Sequence, residues 1–148
     1  MPMIDLHVPA GTFADPHAVA REAASIVMRV EQVPDIPMFR ENTAAFIHEL
    51  ADGAISDVTG DGRHVRVQVL TNAGALDREK QLAVVEQLTA LVASAAGDPT
   101  LARRTWVLLT EAAPGGWGLW GHAHTNEELV AAASRRVTAR STSTAKAS

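Results

Sequence analysis

The sequence predicts an α/β (α+β) protein in which two tandem β-α-β units form a four-stranded mixed sheet with two helices on one face. Three observations predict it: an internal repeat, an alternating strand at the head of each repeat, and a capped helix after each strand. Ile4 and Leu6 followed by Ala10-Gly11 are echoed by Val67 and Val69 followed by Ala73-Gly74. Beyond that turn, Asp15, Glu49 and Gly53 are matched in the same order by Asp77, Glu111 and Gly115, with one residue fewer in the second turn. A shared order of matches marks a duplicated unit, each copy one supersecondary element.

In the first unit, Ile4, Leu6 and Val8 alternate with Asp5 and His7, the two-residue period of a strand. Asp15-Pro16 starts a helix: Asp caps the free amides, and Pro stands at the first helical position, where its missing N–H costs nothing. Val19, Ala23, Ile26, Val30 and Val33 form a stripe at helical spacing, closed by Pro34 and Pro37. The next strand is expected over 44–50, with Asp52-Gly53 turning it into a hairpin.

The second unit repeats this plan. Val65, Val67 and Val69 alternate with Arg66 and Gln68, and Asp77 caps a helix carrying Leu82, Val85, Leu88, Val92 and Ala96. Gly97 and Pro99 end it. A β-branched and aromatic run over 105–110 is the last long strand, Pro114-Gly115-Gly116 opens a hairpin, and 127–136 is read as a short closing helix. The units span 2–62 and 63–136 and together form one domain; the Ser/Thr/Ala-rich tail 137–148 is expected to be disordered.

A helix that returns the chain to the same sheet joins parallel strands with right-handed connectivity. Two such units side by side place both helices on one face. The other face carries Asp5, His7, Arg66 and Gln68, a semi-polar surface that points to oligomerisation rather than a second helical layer.

Composition narrows the function. Of 148 residues 47% are apolar, enough for a packed core, and the 4% aromatic share leaves Ala, Val, Leu and Ile to build it. A formal charge of −4 with scattered Lys and Arg offers no basic footprint for nucleic acid. Without cysteine there is neither a disulfide nor thiolate chemistry. Residues 1–5 lack the charged and apolar regions of a signal peptide, and no apolar run reaches the roughly 20 residues of a membrane span. A soluble, cytoplasmic protein with no nucleic-acid or membrane partner is expected.

The chain opens Met1-Pro2 in front of a strand, and its second unit runs Leu108-Leu109-Thr110-Glu111 into Gly115-Gly116-Trp117-Gly118-Leu119-Trp120-Gly121. Over about 2–121 this resembles the tautomerase superfamily, specifically the fused members that carry two 4-oxalocrotonate-tautomerase-like units in one chain. The resemblance implies a homotrimer, no cofactor, a small-molecule carbonyl or enol substrate, and Pro2, exposed by removal of Met1, as the catalytic base. A prolyl nitrogen is a secondary amine on a rigid ring. An α-amino group has a reference pKa of about 7.7–8.0, and burial lowers it toward neutrality, where it can move protons beside a carbonyl. Val65 stands in the equivalent place of the second unit, so one proline site per chain is expected.

The sequence departs from the family pattern where arginines would bind a dicarboxylate. Thr12 and Ala75 occupy the arginine position of the two turns, and Ala44 and Trp106 that of the returning strands. The hairpin aromatic is matched by Trp117, against Ile55 in the first unit. In the turn 71–76 only Asn72 is a polar pocket candidate. The resemblance with these departures implies a less charged pocket and a neutral or aromatic keto/enol substrate of phenylpyruvate type.

Other residues carry two readings each. Arg40 either reaches the proline pocket in place of the missing arginines or is a solvated loop residue; Trp106 either walls the pocket or packs elsewhere. His122-X-His124 has the form of a metal pair but shows no third ligand at suitable spacing, so no metal site is expected. Two functions follow: a proline-dependent tautomerase, with Trp117, Arg40, Asn72 and Trp106 as candidate substrate contacts, or a catalytically inactive trimer of the same fold serving as a ligand-binding or structural protein.

Overall fold

The computed structural model describes residues 1–145. The first unit comprises β1 (Met3–Pro9), α1 (Pro16–Glu31), the one-turn α2 (Pro37–Arg40) and β2 (Ala44–Leu50). The second comprises β3 (Val65–Asn72), α3 (Arg78–Ala96), a 3-10 turn at Pro99–Arg103 and β4 (Thr105–Ala112), then the hairpin β5 (Trp117–Leu119) and β6 (His122–His124), and α4 (Asn126–Ala145). The sheet order is β2-β1-β3-β4. β1 runs parallel to β2 and β3 parallel to β4, while β1 and β3 meet antiparallel with Met3 opposite Leu70 and His7 opposite Arg66. An internal two-fold therefore passes between β1 and β3, as the expected mixed sheet requires.

The duplication is visible in hydrogen bonds as well as in topology. The Gly11 amide donates to Glu49 Oε1 (3.2 Å), and the Gly74 amide donates to Glu111 Oε1 (3.0 Å). Asp15 accepts from the Ala18 amide at the head of α1, and Asp77 from the Lys80 amide at the head of α3. Both turn glycines sit at positive φ, +80° and +74°, a conformation a side chain would strain.

Inward residues Ile4, Leu6 and Val8 of β1 and Val65, Val67 and Val69 of β3 are wholly buried against Ala23, Val27, Val84, Leu88 and Val92 of the two helices. The α3 stripe is as expected at Leu88 and Val92, with Ala96 packed against the core, but in its first turns Val84 faces the core while Leu82 and Val85 are exposed. An i, i+4 ladder starting at Val84 fits the sheet, and a register started at Leu82 does not. The first unit also makes no hairpin. Residues 51–64 form a loop around Asp57, which accepts from the Thr59 amide and hydroxyl and the Asp61 amide.

The tail expectation is corrected. α4 runs on to Ala145, well past the closing helix expected at 127–136, because it packs on the domain through Leu129 and Ala133. The last three residues of the expected disordered tail, 146–148, lie outside the described residues. No helix among the described residues is long and apolar enough to cross a membrane.

The opposite sheet face carries Asp5, His7, Phe46, His48, Arg66, Gln68, Trp106, Leu108 and Thr110. Phe46, Trp106 and Leu108 are exposed there, and no element among the described residues covers them. His7 and His48 stack at 4.4 Å, with His48 Nε2 2.6 Å from Asp5 Oδ1.

Candidate functional site

The N-terminus enters the protein rather than leaving it. Met1 and Pro2 are both buried, and the Ala44 amide donates to the Pro2 carbonyl (3.2 Å), which extends the β1–β2 pairing to the first residues. The Met1 ammonium donates to both Glu31 oxygens, at 3.2 and 3.4 Å. Glu31 is the last residue of α1 and follows Val27 by four, so its side chain falls on the core-facing stripe. Burial lowers the ammonium pKa from its ordinary value, and the Glu31 charge and hydrogen bond oppose that shift. Behind this wall the Lys80 ammonium donates to the Glu31 carbonyl (3.1 Å).

Met1 and Glu31 line a surface-open cavity of about 590 Å³. Its walls come from the α1 end, Phe39 of α2, the turn 72–75, and one face of α4 with Leu129, Val130, Ala133 and Val137. Asn126 Nδ2 donates to the Ala73 carbonyl (2.8 Å) and ties α4 to the turn. Among the described residues of the lining, Glu31 is the only charged side chain; the remaining polar groups are amides and hydroxyls.

The candidates named from sequence divide. Pro2 and Asn72 lie at this end of the sheet, Asn72 on the cavity wall. Trp117 is 5% exposed and packs with Met1, Phe39 and Leu129 behind the wall rather than lining the cavity. Arg40 does not reach the site: it points to a separate groove beside α1 and pairs at 3.4 Å with Asp35, both well exposed. Trp106 is also elsewhere. It stands opposite Arg66, four residues before the Thr110 that aligns with Leu70 and Met3, so it lies roughly 13 Å along the strand from the Pro2 end. There it stacks on His64 at 4.4 Å. The two-fold explains the error: the strand position equivalent to Ala44 serves the Val65 end of the sheet, not the Pro2 end.

The same logic places Thr12 at the Val65 end, in a second cavity of about 580 Å³ with Arg63, Val65 and Arg104, while Ala75 is at the Pro2 end. Each end is thus built from both units. Glu31, Phe39 and the α4 residues were missed as site residues. A charge four residues after Val27 on an apolar stripe was the available signal for Glu31; the approach of α4 left none.

No family model matches the chain, and no curated protein matches it in sequence. Solved structures do match in fold. One described as a Q0 fused 4-OT symmetric trimer superposes with TM-score 0.67 at 18% identity, covering 86% of this chain and 98% of the other. N1, a member of the cis-3-chloroacrylic acid dehalogenase family, gives 0.65 at 19% identity, covering 85% and 87%. A macrophage migration inhibitory factor-like protein from Entamoeba histolytica gives 0.64 at 16% identity, covering 84% and 96%. The chain has the fold of these structures.

Proposed function

We propose that removal of Met1 frees Pro2 as the general base of a tautomerase acting on a small carbonyl or enol compound less charged than a dicarboxylate. The observation that carries this reading is that the N-terminal residue, its amine paired with Glu31, lines a largely apolar cavity with no arginine or lysine among its described lining residues. Loss of Met1 removes a side chain from that lining and leaves a prolyl amine one residue further along the chain. The neutral amine takes a proton from the carbon beside the substrate carbonyl. The Asn72 amide group, on the same wall, donates to the enolate oxygen, the Glu31 carboxylate stabilises the prolinium, and the proton returns to the neighbouring carbon or oxygen. General-base transfer of this kind contributes about 10²–10⁴-fold, and an amide donor to a developing oxyanion adds to it.

The same proposal includes a homotrimer formed through the uncovered sheet face, supported by Phe46, Trp106 and Leu108 on that face and by the trimeric assembly described for the fused 4-OT structures. A second reading is favoured by one specific contact. If Met1 stays in place, its ion pair with Glu31 closes the site and the Pro2 nitrogen is an amide, leaving an inactive ligand-binding or structural assembly. Intact mass and a Pro2→Ala variant decide between them. Absence of Met1 and at least a hundredfold loss of enol–keto turnover in Pro2→Ala is expected; unchanged turnover, or Met1 retained, sinks the enzyme.

A further inference from the structure

The start of α4 brings a third group to the His-X-His pair. Residues two apart on a strand project to one side, and the His122 and His124 rings lie 4.6 Å apart. The chain then turns at Thr125 into α4, which swings Glu128 back over β6. His122 Nε2 is 3.2 Å and His124 Nδ1 3.9 Å from Glu128 Oε2, and one ligand atom from each residue lies within 4.8 Å of the other two. Zinc–ligand bonds of about 2.0–2.2 Å in a tetrahedral site separate the donor atoms by roughly 3.4 Å. The two shorter separations bracket that value.

Proton placement on His124 favours a metal. Its Nε2 is 3.2 Å from the Leu119 carbonyl oxygen, which only accepts, so Nε2 carries the hydrogen and Nδ1 carries a lone pair. That Nδ1 is buried and has no hydrogen-bond partner among the described residues. An orphaned buried acceptor costs about 1–3 kcal/mol. Donation of the other ring N–H to a backbone carbonyl is the usual arrangement of a metal-ligating histidine, since it fixes tautomer and ring orientation. Glu128 has a structural task too: its carboxylate accepts from the Thr125 amide (2.8 Å) while its own amide donates to Thr125 Oγ1 (3.3 Å), a reciprocal helix cap. The cap accounts for Glu128, and a hydrogen bond to Glu128 Oε2 accounts for His122 Nε2, but neither satisfies the buried Nδ1 of His124.

We propose that His122, His124 and Glu128 bind one divalent transition-metal ion of the zinc type. Two neutral imidazoles and one carboxylate leave a coordination position for water or an anion, open to the groove that Trp120, Arg135 and Arg136 also line. The ion pins the β5–β6 hairpin to the first turn of α4. It thereby holds the helix whose next turns roof the N-terminal cavity, whatever the chemistry of Pro2.

Calorimetric titration of the chelator-treated full chain with zinc chloride, alongside thermal melting with and without zinc, tests this. One zinc ion per chain and a zinc-dependent rise in Tm are expected. His124→Ala weakens binding at least tenfold. Glu128→Gln does the same while leaving the melting of the metal-free protein unchanged, because glutamine also serves the cap. No zinc binding below millimolar concentration overturns the proposal. So does equal affinity in wild type, His124→Ala and Glu128→Gln, which would put the ion elsewhere, for instance at His7 and His48.

Discussion

The Met1 ammonium lies 3.2 Å from Glu31 Oε2, with only 1% and 4% of the two side chains exposed. Removing one partner of such a buried pair strands the other charge, at a cost of about 3–5 kcal/mol. Glu31→Ala is therefore expected to destabilise the Met1-retaining chain by that order in urea unfolding. In the processed chain, where loss of Met1 admits water to the carboxylate, the loss is smaller. Equal losses in the two forms would show that the ion pair contributes nothing specific.

Glu49 and Glu111 make the same hydrogen bond at opposite ends of the sheet, which separates stability from function. Each substitution to Ala leaves a turn amide without its acceptor and costs about 0.5–1.5 kcal/mol. Only Glu111 supports the turn that carries Asn72 to the N-terminal cavity. Glu111→Ala should raise KM for the enol substrate, whereas Glu49→Ala should leave it unchanged at matched stability. A shift of KM in both would place the substrate differently.

Arg40→Ala is predicted to be silent. Its pairing with Asp35 is exposed on both sides, and such pairs contribute about 0–1 kcal/mol. Turnover within twofold of wild type and an almost unchanged Tm are expected. A large loss of turnover would bring Arg40 back into the site.

His7 sets a pH dependence. Its pKa is lowered from 6.5, first by desolvation and then by the His48 and Arg66 charges, with Asp5 opposing. The unfolded chain then binds more protons than the folded one just below pH 6.5, so stability rises with pH across that window. It is present above 6.5 and lost as pH falls toward the lowered folded value. His7→Gln should flatten the stability profile below pH 6.5. Coincident profiles of wild type and variant would assign the slope to another group.

The sheet, α1, α3 and the duplication were legible because they rest on local periodicity and on caps such as Asp15 and Asp77, which act within one turn of chain. The site was legible only in part. Pro2 and Asn72 could be placed by strand and turn, but the two-fold sends Trp106 and Thr12 to the Val65 end, and an antiparallel β1–β3 pairing is not written in either unit alone. Arg40 failed for a different reason: Phe39 and Arg40 share one helical turn, and only the aromatic faces the cavity. The tail misled because its composition is polar, whereas the order of α4 comes from Leu129 and Ala133 docking on the domain. Glu128 was out of reach, since its approach to the histidines depends on the reversal at Thr125.

The paired Glu49 and Glu111 contacts have an evolutionary consequence. Each anchors its own turn from within its own repeat, so the turn at one pole keeps its support whatever happens to the turn at the other. Substitutions in the turn that holds Gly11 can accumulate without removing the hydrogen bond that holds the turn beside Pro2. A protein made of two copies of one unit thus holds a spare pole, already folded, on which a different chemistry can be tried while the first is kept.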